Sequence, residues 1–192
     1  YIDQKIHDIN GHIVITPKAI SLKEITGRSE NGRFDLSGTL ALEDMKPQEI
    51  DLKLQAFSFP IRIQDTLDLI ADTEVVVRGT RDDSLMQGRV VLLEGVYYKD
   101  AEVNLIEEAV SERPETRAPR QPITLAYLRN MKLDISINRR NPVYIDNNLA
   151  QMDINPDLHL SGELNNPVIN GRVSVESGTV EFRTGYLQSR KG

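Results

Sequence analysis

The stretch GELNNPVINGRVSVESGTVEF, Gly162 to Phe182, decides the fold because it occurs twice. Moved back by 83 positions it falls on GTRDDSLMQGRVVLLEGVYYK, Gly79 to Lys99, with Gly162 on Gly79, Gly171 on Gly88, Arg172 on Arg89, Val173 on Val90 and Gly178 on Gly95. Extended to Ile50–Tyr98 the match has no gap: Ile50-Asp51-Leu52-Lys53-Leu54 meets Leu133-Asp134-Ile135-Ser136-Ile137, and Glu74–Val77 meets Asp157–Leu160. Identity is low, so the repeat rests on ungapped alternation and on glycine positions. A fixed period of this kind points to a stack of units that bury their faces against neighbours. Each unit reads as strands broken by glycine turns, with Arg89 and Arg172 on the outward face after a Gly turn.

Working outward, the N-terminal part alternates in the same way. His12–Ile15, Ile20–Ile25 and Arg33–Leu42 put apolar side chains at every second position, the period of a strand with one wet face. Thr16-Pro17, Ser29–Gly32 and Asp44–Pro47 separate them, and Asn31-Gly32 predicts a type I′ hairpin turn. Residues 1–49 therefore read as a β-meander, 50–106 as the first repeat and 123–192 as the second, within one elongated domain. Between them Glu107 to Pro122 holds three prolines and seven charged residues with little apolar surface, which predicts a flexible linker. Leu125 to Met131 lacks strand alternation and suits a short helical turn.

Composition narrows the class of function. The chain has 192 residues, 5% aromatics, no Trp and no Cys, so disulfide frameworks, thiolate zinc sites and cysteine nucleophiles are excluded. The net charge of −6 lacks the basic patch that nucleic acid requires. His7, His12 and His159 have no ligand spacing, so no metal site is expected. Serine-hydrolase elbows and phosphate-binding glycine loops are absent, and Asp82-Asp83 and Glu107-Glu108 read as solvated loop charge. No catalytic residue, cofactor or enzymatic activity is expected. No apolar run reaches the roughly 20 residues of a spanning helix, so a membrane anchor is expected outside this chain.

What remains is one apolar face per strand: Ile13, Ile15, Ile20, Leu22, Phe34, Leu36, Leu52, Leu54, Val75, Val77, Val90, Leu92, Leu133, Ile135, Ile137, Leu158, Leu160, Val173, Val175, Val180 and Phe182. Such a face must be covered by a second sheet, by the same sheet folded over, or by something other than protein.

The run Asn141-Pro142-Val143-Tyr144-Ile145-Asp146-Asn147-Asn148-Leu149, then Asp157–Gly162, Asn166–Val173 and Gly178–Phe182, resembles the C-terminal domain of the TamB family, within the AsmA-like superfamily. The resemblance implies an all-β, elongated curved sheet folded lengthwise, a β-taco, with an apolar groove in the periplasm of a protein anchored in the inner membrane. It further implies a non-enzymatic conduit in which phospholipid acyl chains occupy the groove, on the way from inner to outer membrane. The other family role is a scaffold for outer-membrane β-barrel proteins or autotransporters, pairing strands with an outer-membrane assembly barrel (TamA-like). Without the resemblance, a closed β-sandwich binding carbohydrate or another small ligand would rank first. On the conduit reading, Asp at Ile135 or Leu54 is expected to impair lipid passage while sparing β-content.

Overall fold

The computed structural model describes residues 5–80, 82–100 and 131–180. They form ten strands: β1 (His7–Thr16), β2 (Ala19–Ser29), β3 (Gly32–Glu43), β4 (Lys46–Ile63), β5 (Leu67–Thr80), β6 (Ser84–Tyr97), β7 (Lys132–Arg139), β8 (Val143–Asp146), β9 (Ala150–Glu163) and β10 (Asn166–Val180). All ten belong to one sheet, in the order β1-β2-β3-β4-β5-β6-β7-β9-β10, with β8 beside β6 and β9. The fold is all-β, as the alternation requires, and no second sheet lies among the described residues.

Every neighbour in the sheet is antiparallel except at one seam, where β6 runs parallel to both β7 and β8. A parallel pair cannot be closed by a hairpin and needs a crossover of a dozen residues or more. The segment between Tyr97 and Lys132 supplies that length, which gives the Pro- and charge-rich insertion a topological role. The linker expected over 107–122 and the helical turn expected at 125–131 lie outside the described residues, apart from Met131.

The internal repeat extends to hydrogen-bond register. Leu52 stands opposite Val77, and 83 positions on Ile135 stands opposite Leu160. Val75 opposite Gly88 becomes Leu158 opposite Gly171. Irregularities repeat too. The bulge of β6 leaves out Leu93, and that of β10 leaves out its counterpart Glu176. The β4 bulge between Ala56 and Phe59 widens in the second unit into the interruption between Arg139 and Val143 that separates β7 from β8. Bulges increase local twist, so repeating them repeats the bend of the sheet.

Two turn readings need correction. The β2–β3 loop is Glu30-Asn31, with Glu30 at φ 52° and Ser29 paired to Gly32, so Gly32 opens a strand and is not a central turn residue. Gly32 is needed for space: a Cβ there would lie 2.5 Å from the Ser58 carbonyl oxygen. Paired positive φ values occur at Asp44 and Met45, 50° and 61°, in the β3–β4 turn.

Gly88-Arg89-Val90 and its copy also lie inside strands, not after turns, and β4, with its bulge, runs to 18 residues. Gly88 permits close backbone approach, since a Cβ would come within 2.1 Å of the Glu74 carbonyl oxygen; at Gly171 the corresponding distance, to Asp157, is 2.2 Å. Gly88→Ala, between two paired neighbours, is expected to cost about 1–3 kcal/mol by overpacking. Gly171→Ala meets a similar clash and adds backbone strain at φ 138°, so it should cost more, and urea midpoints of the two variants check the order.

Candidate functional site

Residues opposite one another in a ladder share a face, and faces alternate along a strand. Tracing the registers from β1 to β10 puts twenty of the twenty-one sequence-derived apolar candidates on one and the same face. Phe182, the remaining one, lies outside the described residues. The face is not uniform. Val75, Leu92, Leu133 and Ile135 are buried, Leu52, Leu54, Val77, Val90, Ile137, Leu158 and Leu160 are half-buried, and Ile13, Ile15, Val173, Val175 and Val180 are exposed. Burial thus peaks on the middle strands and fades at the two ends of the sheet.

The densest packing joins Ala71, Leu92 and Val143, with Leu69, Val90, Ile137 and Ile154 against them. All seven belong to the apolar face, and burying each branched aliphatic among them fully is worth about 1.5–3 kcal/mol. The sequence candidates omitted Ala71, Val143 and Ile154, as well as the buried Ile50 and Ala56. Continuing the alternation from Val75 through Thr73 reaches Ala71, and the offset of 83 carries Ala71 to Ile154. Phe34 and Phe59 meet edge to face on the same side, ring centroids 6.0 Å apart.

The opposite face is polar and ordered by charge. Where two charged side chains stand directly opposite, they are complementary at Glu43/Lys46, Asp51/Arg78, Arg62/Asp68, Glu74/Arg89, Lys132/Glu163 and Asp157/Arg172. Arg89 lies 3.3 Å from Glu74, and its copy Arg172 faces Asp157, so both recurring arginines stand on this outward face. Lys132 donates to Asp83 at 2.8 Å, a bond that with the carboxylate's charge holds its ammonium above the usual pKa. His159 stands 3.4 Å from Asp134, on the polar face where the alternation put it. No group of metal-ligating side chains occurs among the described residues, and no helix there is long and apolar enough to cross a membrane.

One ionic group is only slightly exposed. Arg139, with 10% of its side chain accessible, contacts Asp153 and also Glu176, the bulge residue of β10. Its position ends β7, where the ladder to β9 breaks. The matching positions of the first unit are Ala56, Ile70 and Leu93, all apolar. The two units share backbone geometry and differ here in what fastens their third strand. Sequence reading passed over this group, because Arg139, Asp153 and Glu176 are 14 and 23 residues apart and only the registers bring them together.

A family model described as the TamB C-terminal domain matches residues 23–190. No curated protein and no solved structure matches the chain.

Proposed function

Because the chain belongs to the TamB family, whose role lies in outer-membrane assembly and lipid transport, we propose that it is a non-enzymatic periplasmic segment whose apolar face takes phospholipid acyl chains. The observation that carries this reading is the continuity of that face. It runs from Ile13 on β1 to Val180 on β10 in one sheet, and no second sheet covers it among the described residues. A sheet with one apolar face is stable only if that face is covered. Acyl chains are suitable cover, since each buried methylene is worth about 0.8 kcal/mol. Few aromatics and many branched aliphatics leave room for a tail, and charged headgroups stay in water. Delivery of lipid between the two membranes and anchoring in the inner membrane belong to the same proposal.

Val175 is 55% exposed on β10, so Val175→Asp leaves the packed middle intact. Native mass spectrometry of the purified chain is expected to show co-purified phospholipid, reduced at least several-fold in Val175→Asp and in Ile13→Asp. A lipid-free wild-type chain, or equal retention in both variants, overturns the reading. The second reading, strand pairing with a barrel or a client, draws support from β1, whose Ile9, Ile13 and Ile15 are 64%, 59% and 67% exposed on the first strand of the sheet. Crosslinks from Ile9 to an unfolded barrel protein, with no lipid captured, would favour it.

A further inference from the structure

The polar face breaks its charge rule at one place. Arg28 of β2 stands directly opposite Arg33 of β3, and His7 of β1 stands opposite Arg28. Like charges facing each other across a ladder destabilise it, and arginine cannot relieve the repulsion by losing its proton. Among the described residues no carboxylate lies within ion-pair distance of either guanidinium, whereas elsewhere on this face every Lys or Arg directly opposite another charged side chain faces a carboxylate, His12 opposite Lys23 apart. Arg33 is held by stacking, its guanidinium carbon 5.0 Å from the centre of the Phe57 ring. That contact fixes the plane of the group and leaves its N–H edge free to donate. Departures from local complementarity are expected where a site is built.

Both arginines line an open recess of about 390 Å³ with Asn10, Thr26, Asp8 and Asp35. Asp8 is engaged by the His7 ring at 3.1 Å, and the Asn10 amide donates to the Asp8 carbonyl oxygen at 2.9 Å. Asp35 stands opposite Thr26 and Gln55. We propose that Arg28 and Arg33 form an oxyanion site that takes a phosphate group between their two guanidinium forks. Cross-strand neighbours have Cβ atoms about 4.5–5.5 Å apart, so one tetrahedral oxyanion can accept from both. Binding converts a repulsive ladder into a bridged one. The flanking carboxylates of Asp8 and Asp35 favour a compact phosphate or phosphodiester over an extended polyanion. The site lies on the face opposite the apolar one and does not depend on what fills the latter.

The test uses the intact chain and Arg28→Glu, which makes the ladder complementary. The wild-type melting temperature is expected to rise by several degrees with inorganic phosphate over chloride at equal ionic strength. Arg28→Glu is expected to melt above the wild type in chloride and to show no phosphate response. Arg33→Ser, which removes the repulsion without reversing charge, is likewise expected to lose the response. Flotation with phosphatidylglycerol vesicles, against phosphatidylcholine vesicles, separates the sources. Arginine-dependent capture assigns the site to a lipid headgroup, and a phosphate response without capture assigns it to a soluble phosphate ester. A wild type indifferent to phosphate, or variants that respond as it does, overturns the site.

Discussion

Ile135→Asp is expected to abolish the cooperative thermal transition of the sheet. Ile135 is 7% exposed on the apolar face of β7, opposite Gly88 on one side and Leu160 on the other. The substitution forfeits the burial of an isoleucine, about 1.5–3 kcal/mol, and strands a carboxylate without a partner, at a cost of several kcal/mol more. Against a total stability of about 5–15 kcal/mol for a domain, that loss is decisive. Circular dichroism through a thermal melt checks it, and a variant that melts within a few degrees of the wild type refutes it. Leu54 differs because its side chain is only half-buried. Alternation alone treats the two as equivalent probes of lipid passage; the structure separates them, and Leu54→Asp is the variant suited to a functional test.

The second large effect concerns the ionic group at the β7–β8 break. Arg139→Ala leaves Asp153, 17% exposed, and Glu176, 51% exposed, close together without their cation, and removing one partner of the part-buried Arg139–Asp153 pair costs more than the pair contributes. The variant is expected to lower the melting temperature markedly, and β10 should lose amide-exchange protection ahead of the other strands. Transplanting the first unit's residues together, Arg139→Ala with Asp153→Ile and Glu176→Leu, should restore the melting temperature to the wild-type level or above. Apolar replacement of an ion pair as little exposed as Arg139 and Asp153 is often neutral or stabilising. If Arg139→Ala changes neither readout, the group is solvated charge and contributes nothing to fastening β10.

Much of this architecture is legible in the chain because the strand period is strict. The alternation of Leu52-Leu54 and Val75-Val77 fixes a face, and the offset of 83 carries it to Ile135-Ile137 and Leu158-Leu160 with the same register. Direction of pairing is not legible, since a period of two is the same whether a neighbour runs parallel or antiparallel. The seam between β6 and β7 was therefore hidden, and with it the purpose of the long insertion. Glycine was misread for a related reason. At Gly88 and Gly171 it allows a neighbouring carbonyl to come close, a requirement as consistent with mid-strand as with a turn. Arg28 and Arg33, five residues apart across a hairpin, are unremarkable until the Glu30-Asn31 loop sets them face to face.

The parallel seam also governs how the two long margins of the sheet are related. Each unit has three transverse courses, counting β7 and β8 as one. With an odd number, an antiparallel join would hand the following unit the opposite heading and exchange its margins. The parallel step cancels that reversal, so the second unit is a translated copy of the first, not an inverted one. Phe34, Phe57, Phe59, Tyr97, Tyr98 and Tyr144 accordingly all lie in the half of the sheet nearer the β2–β3, β4–β5 and β8–β9 turns. The assembly is vectorial: its margins keep the same heading from one unit to the next, and from β3 to β8 the described aromatic side chains gather along one of them.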